Sequence, residues 1–184
     1  MRYGFETCIA VLVLCACLSA APVTAAPALP AQNPEDCVTI DPSTVAAGNV
    51  DGDWKVLQDK TTILDFGPDA QSAQRAVDVI QHYHFTRQCF MRHTNPSMMY
   101  WKNGVAVPPG NMAGQDCIAL NPATVQPQFN AGRWKVMDGA TWLLDYNQDQ
   151  GGAEEAVKII RTYSLNRECF VARPHVTMQY WLAE

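Results

Sequence analysis

The sequence predicts an α+β fold made of two tandem copies of a small β-β-β-α-β-β module. Each copy is expected to form an antiparallel sheet with one helix packed on a face and one disulfide. Three observations predict this. The chain repeats itself at a fixed spacing, each copy owns two cysteines at matching places, and within each copy the apolar period changes from two to 3.6.

The repeat comes first, because a missed period misassigns everything after it. Residues Asp36 to Trp101 align without a gap with Asp116 to Trp181, and about a third of the positions are identical. Identities include Pro42/Pro122, Gly52/Gly132, Trp54/Trp134, Lys55/Lys135, Asp65/Asp145, Tyr83/Tyr163, Phe90/Phe170 and Met98/Met178. The expected organisation is therefore a module at 36–101, a linker at 102–115 containing Pro108-Pro109-Gly110, and a second module at 116–184. A residue held in both copies serves the fold or a shared function. A residue held in one copy is private to it.

The start of the chain explains the cysteine count. Arg2 precedes an apolar run from Cys8 to Ala20, and Val23-Thr24-Ala25 has the small-x-small form of a signal-peptidase site. The run is shorter than the roughly 20 residues of a membrane span, and Pro22 ends it. Residues 1–25 read as a signal peptide and 26–35 as a Pro/Ala-rich spacer, so the expected location is secreted or periplasmic. Leu14-Cys15-Ala16-Cys17 loosely resembles a lipobox, which would make Cys17 a lipidated N-terminus instead. Cleavage leaves Cys37, Cys89, Cys117 and Cys169. An even number in an exported chain implies disulfides, and a module copied as a unit should carry its own bridge: Cys37–Cys89 and Cys117–Cys169.

Within a copy the elements follow in order. A short apolar run after the first cysteine stops at Asp41-Pro42 or Asn121-Pro122, a turn signal. Trp54-Lys55-Val56-Leu57 and Trp134-Lys135-Val136-Met137 alternate as a half-buried strand does. Asp138-Gly139 predicts a tight hairpin, with Gln58-Asp59 in its place in the first copy, and the return strand runs Thr61 to Phe66 or Thr141 to Tyr146. Ala73, Ala76, Val77, Ile80 and Tyr83 then fall on one face of a helix, with Asp69 and Asp149 placed as N-caps. Two more strands follow, from Cys89 to Arg92 and Met98 to Trp101, and their equivalents from Cys169 and Thr177.

Charge excludes some partners. The chain carries 13 Lys and Arg against 18 Asp and Glu, scattered with no basic stripe. Nucleic acid needs clustered positive charge to neutralise phosphates, so it is not an expected partner, and neither is an anionic membrane surface. No segment after the leader is apolar enough to predict a span.

Few residues invite chemistry. No histidine repeats: His82, His84 and His93 are private to the first copy, near Met91, Met98 and Met99, and His175 to the second. His-x-His at a helix end serves one ion poorly, so neither a metal nor a cofactor is expected. Asn49-Val50-Asp51-Gly52-Asp53 hints at a calcium loop but lacks the closing Glu, and its counterpart has lost the acids. Asp65/Asp145 suit a buried ion pair or a turn cap. With no GxSxG, HExxH, P-loop or GxGxxG motif, the chain has no catalytic signature.

What repeats is aromatic. Trp54, Tyr83 and Phe90 read as core, whereas Tyr100-Trp101 and Tyr180-Trp181 are adjacent strand residues, so one of each pair should point away from the helix. Tyr100, Trp101, Tyr180 and Trp181 are the expected ligand-stacking residues. The expected function is a secreted, non-enzymatic binding protein with two similar surfaces for a carbohydrate or protein ligand, gaining avidity from the pair. The alternatives are an extracellular protease inhibitor or structural factor acting through Arg92–Ser97 or Arg173–Thr177, an enzyme with a site between the copies, and a metal-binding protein.

Overall fold

The alternating segments and their turns lie close to where the pattern puts them. A computed structural model describes residues 36–91, 98–103 and 112–183. The signal peptide, the spacer, the loop Arg92–Ser97, His93 and most of the linker lie outside the described residues. The first copy holds β1 (Asp36–Thr39), β2 (Val45–Val50), β3 (Asp53–Gln58), β4 (Thr61–Asp65), α1 (Ala70–His82), β5 (Phe85–Met91) and β6 (Met98–Asn103). The second holds, in the same order, β7 (Asp116–Ala119), β8 (Gln126–Asn130), β9 (Arg133–Asp138), β10 (Thr141–Asp145), α2 (Gln150–Thr162), β11 (Arg167–Val171) and β12 (Met178–Leu182).

Each copy therefore has one strand more than expected before its helix. β2 and β8 escape a pattern search because their residues, Val-Ala-Ala-Gly-Asn-Val and Gln-Pro-Gln-Phe-Asn, do not alternate in hydropathy. The segment read as an acidic loop is the turn joining β2 to β3, with Asp51 and Gly52 both at positive φ, the requirement of a tight primed hairpin turn. Asn49 caps that turn by accepting from the Gly52 N–H at 3.2 Å. Pro127 is tolerated in β8 because β8 is an edge strand, paired on one side only.

The strands make four three-stranded antiparallel sheets rather than one sheet per copy: β2-β3-β4, β8-β9-β10, β1-β5-β6 and β7-β11-β12. Both disulfides form as paired, Cys37–Cys89 and Cys117–Cys169, each joining directly opposed residues of neighbouring strands. Asp69 and Asp149 cap the helices, accepting at 2.9 Å from the N–H of Ser72 and Gly152.

The packing of the helices ties the copies together. α1 lies on its own β2 and β3, but the rest of its apolar face, including Val77, Ile80 and Tyr83, shares a core with Cys169, Val171, Met178, Tyr180 and Leu182 of the second copy. α2 does the converse: Ala153, Val157 and Ile160 share a core with Cys89, Met91, Met98 and Tyr100 of the first. The same exchange is visible in the rings. Tyr83 meets Tyr180 at 6.0 Å, and Tyr163 meets Tyr100 at 6.1 Å. Gln115 clasps the first pair, its amide donating to Tyr83 Oη at 2.5 Å and Tyr180 Oη at 3.0 Å. The described residues fall in one compact unit, Pro34–Glu184.

Candidate functional site

The four aromatic residues expected to carry a ligand are buried. Tyr100, Trp101, Tyr180 and Trp181 are exposed by only 2, 4, 1 and 2%. The premise holds, since Tyr100 and Trp101 do point to opposite faces of β6, but both side chains are covered. Tyr100 fills the core beneath α2 while Trp101 fills the core beneath α1, and Tyr180 and Trp181 are divided between the two cores in the same way. Exchanged packing covers all four of these side chains, so none of them forms an open stacking platform.

A different feature lies where the copies meet. A groove of about 330 Å³ is walled by Phe90 and Met99 of the first copy and by Leu143, Phe170, Val176, Thr177 and Gln179 of the second, with Glu168 at its floor. Its residues come from one periodicity. Phe90 opposes Met99 across β5–β6, and Phe170 opposes Gln179 across β11–β12, so alternation puts each pair on one face of its sheet. Phe90 and Phe170 occupy equivalent positions of the repeat, as do Met99 and Gln179. The groove thus combines equivalent faces of both copies into one site.

Glu168 is the chemically distinctive residue. It is fully buried, and desolvation pushes its carboxyl up to about 8 against the pull of Gln179 and Arg173. One carboxyl oxygen accepts from the Gln179 amide, and the other, Oε2, has no hydrogen-bond partner among the described residues. Directly opposite on β12 sits Trp181, whose indole Nε1 is also buried without a partner. In the first copy the equivalent positions are Gln88 and Trp101, and there the indole is satisfied, donating to the Gln179 carbonyl at 3.1 Å. Gln88 donates only to the Met99 sulfur, at 3.4 Å.

The rim is held in place by Arg173. Its guanidinium lies 3.8 Å over the Phe170 ring and 3.1 Å from Asp116. The segment Arg173–Thr177, singled out in the sequence as a candidate contact loop, therefore borders the groove, and Val176 there is 43% exposed.

The remaining candidates have local duties. Asp65 is exposed, accepts from the Gly67 N–H at 2.9 Å and pairs with Lys55 at 3.2 Å, and the hydrogen bond to Gly67 is the main reason its carboxyl sits below the usual range. Asp145 accepts likewise from the Asn147 N–H and pairs with Arg133 at 3.0 Å. Trp142 is 55% exposed with the Lys135 ammonium 5.0 Å from its ring centroid, and the first copy has Thr62 there. Among the described residues no three His, Cys, Asp or Glu side chains gather as a metal site would require.

Sequence reasoning missed Glu168, and a signal for it existed. In Arg-Glu-Cys-Phe-Val the glutamate is set among apolar residues of a strand tethered by a disulfide, next to a cysteine that must face inward. Comparison of the chain with protein-family models, with curated proteins and with solved structures finds no match.

Proposed function

We propose that the chain is an exported, non-catalytic binding protein that takes one ligand, a carbohydrate or a protein segment, in the groove between its two copies. The observation that carries this reading is the composition of the groove: aromatic and apolar side chains from both copies, beside the polar Thr177 and Gln179, around a buried carboxyl with one oxygen unpartnered among the described residues. Ligand sites commonly have that character, with apolar walls giving affinity and a few polar atoms fixing orientation. Export accords with the two disulfides, which persist in oxidising compartments.

Two details favour binding over turnover. Glycoside hydrolysis generally uses two carboxyl groups roughly 5–10 Å apart, and among the described residues of the groove's lining Glu168 is the one carboxyl group. Among the described residues that line it there is also no histidine, serine or cysteine to act as base or nucleophile. A second reading, an extracellular inhibitor, draws on the Arg173–Thr177 rim, which the Arg173 contacts to Asp116 and Phe170 hold in shape.

Stoichiometry is the test. Titration calorimetry with ligands selected from glycan and peptide arrays should give one ligand per chain. Phe170→Ala should weaken binding about tenfold, the worth of roughly 1.5 kcal/mol of buried ring contact. Two equivalent sites per chain would overturn the composite groove. Screening against secreted proteases separates the inhibitor reading, in which a stable enzyme complex forms and is lost on changing Val176.

A further inference from the structure

We propose that the groove's occupant is an uncharged saccharide unit, held through a hydroxyl oxygen by Glu168 with its C–H face against Phe90 and Phe170. This deepens the binding reading and rests on the groove being the site.

The floor decides the chemistry. Gln179 donates to Glu168 Oε1, so in the neutral acid Oε1 serves as the carbonyl oxygen and the proton resides on Oε2. Oε2 and the indole Nε1 of Trp181 are then two buried donors with no acceptor among the described residues, on residues directly opposed across β11–β12. Such groups ordinarily find partners, and what both lack is an acceptor oxygen. A cationic ligand would need Glu168 ionised, against the burial that raises its carboxyl to about 8. An anion would meet Glu168 with no cation among the described residues of the lining.

Among neutral ligands, the walls choose. A hydroxyl accepts from Glu168, and the ring's C–H face suits the apolar surfaces of Phe90, Phe170, Met99 and Leu143.

The charges around Glu168 leave this intact. Arg173, on the segment after β11, is neutralised by Asp116 of β7. Lys102, ending β6, donates to Tyr163 Oη at 2.6 Å. Tyr180 faces the other side of the sheet, where Arg75 and Tyr83 of α1 lie within its electrostatic reach.

The test titrates the full chain with neutral hexasaccharides of glucose, xylose, mannose and N-acetylglucosamine at pH 6 and pH 9, beside a peptide array. One saccharide should bind, about tenfold more weakly at pH 9, where only roughly a tenth of Glu168 keeps its proton. Glu168→Gln retains a donor at every pH and should bind equally at both. Glu168→Leu, with its fold checked by circular dichroism, should bind at least about tenfold more weakly at pH 6. Unchanged affinity in both Glu168 variants, with Phe170→Ala still weakening binding, would overturn the anchor and leave the groove standing. Peptide binding sensitive to Phe170→Ala, with no saccharide bound, would overturn the saccharide class alone. Affinity indifferent to both Phe90→Ala and Phe170→Ala, or no binding to either set, would overturn the groove itself.

Discussion

At the scale of single residues, Glu168 gives the protein an unusual acid-base profile. Its carboxyl titrates near 8 when folded, against 4.5 ordinarily, because burial disfavours the charge. Between those values the folded chain holds a proton that the unfolded chain has released. Stability must therefore fall as pH rises through that window, by up to about 1.4 kcal/mol per unit. Thermal unfolding should give a lower Tm at pH 8 than at pH 5.5, and Glu168→Gln should flatten the dependence; equal slopes in the two proteins would mean that Glu168 is ionised in the fold. The surface carboxylates Asp41, Asp65 and Asp69 act in the opposite sense. Local hydrogen bonds hold them below their usual 3.8, so the stability they provide is present above that value and fades as pH falls through their lowered values. Neither Glu168 nor Gln179 was found from the sequence, because comparing the copies selects what matches, and these positions hold Gln88 and Met99 in the first copy.

At the scale of elements, the sequence was legible wherever a period was strong. The helices run Ala70–His82 and Gln150–Thr162 around the predicted apolar face, and the caps stand at Asp69 and Asp149. Asp69→Ala should remove about 1 kcal/mol, read as a Tm lowered by a few degrees, with Asp69→Ser recovering most of it. β2 was illegible for a physical reason. It is an edge strand with one neighbour, and at Gly48 the Leu57 side chain fills the space, its Cδ1 lying 3.0 Å from where a Cβ would stand. The disulfides were legible because spacing was preserved between copies. Each spans 52 residues of chain, and loop closure of that length is worth about 4 kcal/mol. Replacing Cys37 and Cys89 together by Ala should lower the Tm well beyond the effect of a lost cap, with no second transition at the original temperature.

At the scale of the whole molecule, periodicity within a copy cannot tell which sheet a helix will cover. Residues on α1 would be apolar in the same places whether they met β5 and β6 or β11 and β12. The aromatic pairs were misplaced for that reason: one residue of each pair was expected to lie on a free face, and exchange buried both on β6 and on β12. Residues 36–103 produced alone should then lack a cooperative melt as a monomer and regain one when mixed with residues 112–184. Circular dichroism with sedimentation would show it, and a cooperatively melting single-copy monomer would contradict it.

The exchange has a further consequence for the groove. Two identical chains packed this way would form a dimer in which every residue near the axis meets its own counterpart. A glutamate at the floor would appear twice, and two buried carboxyls close together would contend for protons. Joining the copies in one polypeptide removes that compulsion. One position can become Glu168 while its counterpart stays Gln88, and Gln179 can face its partner while the equivalent Met99 remains apolar. Covalent fusion is thus what permits a lopsided, singly acidic pocket at the centre of an otherwise matched pair.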